Sequence, residues 1–484
     1  MAPPSRLGLL RRSPDFGLLF LATAGSAFGT YVAAIALVVH VKEQTGSGLW
    51  VAALLIAEFA PIVVIGLLFG PLVDRLSRRW LMVVSDGVRV ALFVALIFVH
   101  DPVAIVAVAA LVGIATGFFR PAVYAGLPNL VDDEELTNAN SLLQTVETLA
   151  WMIGPILAGL LLTVTSPSIP YALNAVTFLV SAYLIYRIPE GRLRSQESLT
   201  AGHWRDVADG LRLVALAPPL RAVLVVWSAV LVGSAAVNVA EVFFAQDVLR
   251  AGDVGFGVIV GASGVGLAIG SYLAAPAIGR VGLRRHYVGS IALMGFGWAG
   301  AAFSTSIYAA VPFVVAATIG NGAAIVANQL FVQRGASDRY RGRALATIMS
   351  ANYAVLGVAM ALAGFATDAY GARAVWIASA AIFFGASLVA LAMTRWLRGA
   401  REERLLETYA EAAEASLARR GERRAPRSLP LAEDEPASGL ERIAALLEEI
   451  EERREAESRR PAQTATQRLS QTGAAGSVEA GIEP

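Results

Sequence analysis

Long apolar runs alternate with short polar connections through most of the chain, and this alternation sets the first expectation about its shape. Twelve runs fall near residues 15–41, 49–70, 80–99, 103–127, 138–163, 169–187, 220–245, 255–277, 287–304, 308–331, 343–366 and 373–396. Each has about 18 to 27 residues, enough at 1.5 Å per residue to cross a hydrocarbon layer about 30 Å thick. The pattern predicts an all-α polytopic membrane protein with twelve transmembrane helices. After Arg398 it breaks off: the remaining 86 residues hold 18 of the chain's 38 acidic residues. Two soluble helices are expected there, followed by a disordered end from Pro461. Ile443, Leu446, Leu447 and Ile450 share one helical face, suited to a partner or to a second copy, with a solvated extension as the alternative.

The halves of the apolar region repeat. A constant shift of 205 residues pairs Gly70 with Ala275, Pro71 with Pro276, Arg75 with Arg280 and Arg79 with Arg284. The same shift pairs Gly117 with Gly322, Ala139 with Ala344, and Ala158-Gly159 with Ala363-Gly364. One offset serving four separate places marks two pseudo-symmetric six-helix bundles with a site between them. The expected organisation is an N-terminal bundle (1–188), a cytoplasmic linker (189–218), a C-terminal bundle (219–398) and a cytoplasmic tail (399–484).

Composition agrees with a membrane chain: 56% of residues are hydrophobic and 16% charged, with a net charge of +1. That near-neutral total conceals an asymmetry. Alternate connections carry nearly all the arginines, while the others carry only Lys42, Arg250 and Arg373. Basic residues are retained on the cytoplasmic side, so both termini are expected inside a cell (inner) membrane. Arg6, Arg11 and Arg12 precede the first run, which is too long for a cleaved leader and lacks its small-residue site. With no cysteine, the chain can form no disulfide and offers no thiolate ligand or nucleophile.

The densest charge lies in GPLVDRLSRRW, between the second and third runs: Gly70, Asp74, Arg75, Arg78 and Arg79. With LPNLVDDEELTNANSL (127–142), HWRDVADGLR (203–212) and RGRALA (341–346), this loop resembles the major facilitator superfamily over roughly residues 10 to 398. The likeness is to the exporter branch that includes the enterobactin exporter and multidrug exporters. Ser77 stands where the family loop has glycine. By the resemblance, Asp74 would meet the start of span eleven near Arg341 and Arg343 and lock the bundles on the cytoplasmic side. A carboxylate beside guanidinium groups and a helix N-terminus is electrostatically suited to that. GPILAG, with Gly154, Pro155 and Gly159, is similar to the family's antiporter motif, implying a helix hinge and outward transport. Spans one, four, seven and ten are implied to surround the path.

Ionisable groups in mid-membrane cost on the order of 2.5 to 3.5 kcal/mol on insertion scales, so each one calls for a role. Glu58 and Glu147 fall near the midplane of their runs and are read as proton carriers, with a structural, Arg-paired glutamate as the alternative. Asn140, Gln144, Glu147, Trp151 and Gly154 recur at three- and four-residue steps on one face that cannot meet lipid. Glu241 falls late in its run, near the outer mouth, where water would solvate it; it is a third proton-coupling candidate. Thr30, Tyr31, Asn238, Asn321 and Asn328, with Gln144 and Trp151, are candidate cavity lining, or helix-joining polar groups. Arg120 either snorkels to the cytoplasmic interface, draws an anionic substrate or favours the ionised form of a nearby carboxyl. Asp86, counted with the gate, is three residues from Arg89 and suited to a local pair, with Arg75 or Arg79 as alternative partners.

No phosphate-binding glycine loop appears, so direct ATP drive is not expected. The four histidines make no metal-ligand spacing, and basic residues follow topology rather than nucleic acid. No cofactor and no enzymatic activity are expected. The sequence thus predicts proton-driven export, by alternating access, of a small amphipathic molecule such as a drug or siderophore. The partners are the bilayer, the substrate and protons. Metabolite uptake, or a sensor or scaffold working through its tail, are the alternatives.

Overall fold

A computed structural model describes residues 8–68, 76–193, 214–336 and 338–395, with side chains omitted for 66–68 and 338–344. Among the described residues there are twelve long helices and no strand. They are α1 (Pro14–Thr45), α2 (Gly48–Leu68), α3 (Arg78–Leu96), α4 (Pro102–Gly126), α5 (Leu136–Leu162) and α6 (Ser168–Tyr186) in the first half. The second half has α7 (Pro218–Phe243), α8 (Gly252–Val281), α9 (Leu283–Phe303), α10 (Ile307–Gly335), α11 (Asp338–Tyr370) and α12 (Ala372–Met393). The observed ends lie within about five residues of those expected, the scale on which helix boundaries are set by caps rather than hydropathy. Pro14, Pro102 and Pro218 open α1, α4 and α7, where a missing amide costs no hydrogen bond.

Ten of the twelve are apolar enough along their length to cross a membrane. The other two, α3 and α9, carry charge within the helix. Arg78, Arg79, Asp86 and Arg89 lie on α3, and Arg284, Arg285 and His286 on α9. Packing accounts for α3. Asp86 and Arg89 form a buried ion pair, and the Arg89 guanidinium lies 4.2 Å from the ring centres of both Phe119 and Phe178. The local pairing expected for Asp86 is therefore observed. The charges are spent inside the bundle, so the helix can span without showing them to lipid.

Helix pairing repeats with the sequence. In the first half α1 packs on α5 and α6, α2 on α4, and α3 on α4 and α6; six helices later α7 packs on α11 and α12, α8 on α10, and α9 on α10 and α12. Gly117 of α4 touches Ile62 and Ile65 of α2; its mate Gly322 of α10 touches Leu267 and Ser271 of α8. The molecule is thus two pseudo-symmetric six-helix bundles. They meet along α5 with α8 and α2 with α11. Gly70, Asp74, Arg75, residues 194–213 of the linker and the whole tail after residue 395 lie outside the described residues, as do the side chains of Arg341 and Arg343.

Candidate functional site

Between the bundles lies a cavity of about 320 Å³. From the first half it is lined by Tyr31, Glu58, Trp151 and Pro155; from the second by Asn238, Glu241 and Asn321. Its further polar and aromatic contacts include Ser234, Ser263, Phe256, Trp298 and Thr318. Two carboxyls therefore face one space, Glu58 on α2 and Glu241 on α7, one from each bundle. No lysine, arginine or histidine lines it among the described residues. Gly113 of α4 lets α2 seat Glu58: a Cβ there would stand 2.6 Å from the Glu58 carbonyl oxygen. In the same way Gly154 admits Tyr31, whose Cβ would be 2.8 Å from an added methyl.

Several expected residues take other places. Glu241 is not solvated at a mouth. It is buried, 8% exposed, because α7 continues through a π-helical turn over Phe244–Val248 that carries the helix end past it. Glu147 and Arg120 do not line the cavity: Arg120 Nη2 donates to Glu147 Oε2 at 2.9 Å, and Tyr124 also hydrogen-bonds Glu147. That is the Arg-paired alternative. Arg120 instead borders a second space of about 390 Å³ formed with Tyr124, Met349, Ser350 and Tyr353, between α4 and α11 toward the arginine-rich face. Span four, expected around the path, gives the central cavity no residue. Asn328 accepts from the Tyr287 hydroxyl at 3.1 Å and so joins α9 to α10. The Thr30 hydroxyl donates back to the Ser26 carbonyl at 2.7 Å, and Gln144 is exposed. Arg78 and Arg79 of the expected gate bind the Ala125 and Tyr186 carbonyls, at 2.8 and 2.7 Å.

Phe256, Thr318 and Trp298 were not foreseen. Helix α9 had no expected role in the path, and an isolated aromatic in an apolar run reads as core or lipid contact. Ser263 carried a signal, being the mate of Glu58 in the repeat.

The seam is tight on the face with few arginines, where α1 ends and α2 begins. A Cβ on Gly159 of α5 would stand 2.5 Å from the Asp253 carbonyl oxygen at the start of α8, and one on Gly364 of α11 would stand 2.7 Å from that of Gly48 at the start of α2. Gly261 meets the Met152 carbonyl in the same manner at 2.6 Å, and Gly257 meets that of Pro155. Small residues allow the helix axes to approach closely. GPILAG thus provides both a wall of the cavity, at Pro155, and a contact between bundles, at Gly159.

Two pseudo-symmetric bundles enclosing a polar and aromatic cavity at their seam are the architecture of a two-bundle membrane transport protein. The family model described as Major Facilitator Superfamily matches residues 19–252 and 244–439, and the chain belongs to that family. Like the members of that family, it is a multi-pass membrane protein. Macrolide efflux protein A of Streptococcus pyogenes is 28% identical over 213 residues, 42% of this chain and 52% of that protein. The multidrug efflux pump Tap of Mycolicibacterium fortuitum is 28% identical over 230 residues, 45% of this chain and 56% of that protein. The chain thus spans about half the length of these curated relatives. The solved structure of the nucleoside transporter NupG superposes with a TM-score of 0.67 at 12% identity, covering 79% of this chain and 99% of that one. A bacterial homologue of the iron transporter ferroportin, in its inward-facing state, gives 0.64 at 15% identity, covering 79% and 98%. At such identities the likeness is one of fold.

Proposed function

We propose that the protein exports a small amphipathic cation across the cell membrane in exchange for protons. The observation that carries this reading is the cavity's chemistry: two carboxyls, several aromatic rings and no basic lining residue among those described. Rings and carboxylates attract an organic ammonium group, whereas an anionic siderophore would meet only like charge. A carboxyl that binds either a proton or the substrate's cationic group couples the two flows. Glu58 and Glu241 have that position. Glu147, held by Arg120, serves to keep that arginine's charge compensated.

Efflux as the direction draws on the names of the relatives and on the antiporter-like GPILAG. The arginine-rich face is cytoplasmic by the retention of basic residues inside, which puts both termini there. By family resemblance, Asp74 would be the inner lock of this cycle, meeting the start of span eleven.

The test is Glu58→Gln in proteoliposomes. With an imposed pH gradient and an aromatic ammonium compound as substrate, flux driven by the gradient falls at least about tenfold, while exchange without a gradient persists. Gradient-driven flux equal to that of the native protein in both the Glu58→Gln and Glu241→Gln variants removes these acids as carriers.

A further inference from the structure

Helix α2 begins at Gly48, and the first amides of any helix lack partners within it. Here they are met from the other bundle. Asp368, in the last turn of α11, accepts from the Gly48 amide at 2.5 Å through Oδ1, and through Oδ2 from the Leu49 amide at 3.2 Å and the Ser47 hydroxyl at 2.7 Å. An N-terminal cap is ordinarily local, supplied by the residue just before the helix. Ser47 occupies that place and its hydroxyl oxygen accepts from the Leu49 amide at 3.2 Å, while its hydroxyl proton goes to Asp368, so the local cap is itself tied to the other bundle. A carboxylate from 320 positions away therefore rests on the positive end of α2 and on three donors at once.

The repeat isolates what is special about this contact. The α5–α8 crossing is the mate of the α11–α2 crossing: Gly159 against Asp253 corresponds, at the shift of 205, to Gly364 against Gly48. Both crossings are equally tight in the backbone. The mate of Asp368 is Thr163, whose hydroxyl turns back to the Leu160 carbonyl at 2.7 Å within its own helix. Packing closes both crossings, but a charged cap has been added to one. Beneath it lies an apolar cluster of Ala52, Ala235, Val239, Ala359, Met360 and Ala363, shared by α2, α7 and α11, which offers no polar contact of its own.

We propose that Asp368 is a latch for the arginine-poor face: it holds the bundles together there while the cavity is closed to that side, and lets go as α2 and α11 part. The cap is all-or-none with respect to bundle separation. Its donors belong to one bundle and its carboxylate to the other, so parting them by a few ångströms removes every bond together. This rests on the chain being a two-bundle transporter, and not on which ion or substrate moves.

The chain has no native cysteine, so introduced ones are its only thiols. Spin labels at Phe98→Cys, at the end of α3, and Tyr308→Cys, at the start of α10, report the distance between bundles on this face by double electron–electron resonance. Labels at Phe98→Cys and Val164→Cys report a distance within the first bundle and serve as the folding control. The native background gives mainly the short distance. Asp368→Asn raises the ratio of long to short distances about tenfold, the change expected for one charge-assisted cap, and Asp368→Ala does the same. Ratios within twofold of native in both variants, with the control distance unchanged, overturn the latch. The measurement needs neither substrate nor pH gradient, so it can fail while proton-coupled export stands, or succeed if export is refuted.

Discussion

Arg89 illustrates how a single ionisable residue can be fully accounted for without a transport role. Its guanidinium pairs with Asp86 and lies between two rings, and the two side chains are 5% and 0% exposed. Removing one partner leaves an uncompensated buried charge, a loss of about 3 to 5 kcal/mol. Arg89→Met is therefore expected to lower the unfolding midpoint strongly, whereas the double variant Arg89→Met with Asp86→Asn regains most of it. Thermal unfolding in detergent distinguishes the two. A spacing of three on a helix made this pair legible in the sequence. Nothing comparable announced Asp368, which sits in the ordinary-looking run ATDAY, its partners some 320 positions away. Glu241 misled for a related reason. Distance along a helix gives depth only if the helix ends where its apolar run does, and the π-helical turn after Phe243 extends this one.

At the scale of elements, hydropathy set out the twelve helices well because a bilayer forces backbone groups into long internally bonded segments. It was least informative for α3 and α9, which carry charge within the helix; on α3 the Asp86–Arg89 pair is hidden by neighbours rather than absent. The seam was legible only in part. GPILAG marked α5 as a close-packing helix, but its counterpart surface on α8, with Gly257, Gly261 and Gly264, is indistinguishable in sequence from glycines elsewhere. Gly261→Val tests whether this approach closes the arginine-poor face. Branched atoms would intrude where a Cβ already stands 2.6 Å from the Met152 carbonyl oxygen. The labelled Phe98→Cys and Tyr308→Cys pair is expected to shift toward the long distance by at least about fivefold, as overpacking costs of about 1 to 3 kcal/mol imply. Gly385→Ala, where an added Cβ meets nothing within 4 Å, leaves the distribution unchanged.

For the whole molecule, the repeat is more than a record of duplication, because it identifies contacts that lie on the pseudo-twofold axis. A residue on such an axis meets its own mate. Lys42 Nζ and Asp247 Oδ1 are 2.6 Å apart, and their positions differ by the same 205 residues that relate the halves. This ion pair, between the ends of α1 and α7, thus sits at the centre of the arginine-poor face, while Asp368 stands to one side. Pseudo-equivalence has a consequence that an arbitrary salt bridge lacks: exchanging the charges puts each side chain in the other's symmetry-related surroundings. Lys42→Asp alone opposes two acids and should raise the long-distance ratio about two- to fivefold, the scale of a partly exposed pair worth about 0.4 to 1 kcal/mol. Adding Asp247→Lys should restore the native ratio, since backbone geometry around the axis is shared. Failure of the exchange to restore it, with the control distance intact, would mean that Lys42 acts through its position over the Phe243 ring, 5.7 Å from the ring centre, and not through the pair. Asp368 cannot be rescued in that way, for its partners are backbone amides. The two contacts therefore separate under charge exchange, the axial one tolerant of it and the lateral one not, which is the pattern expected if one face of the transporter is closed by two independent electrostatic contacts.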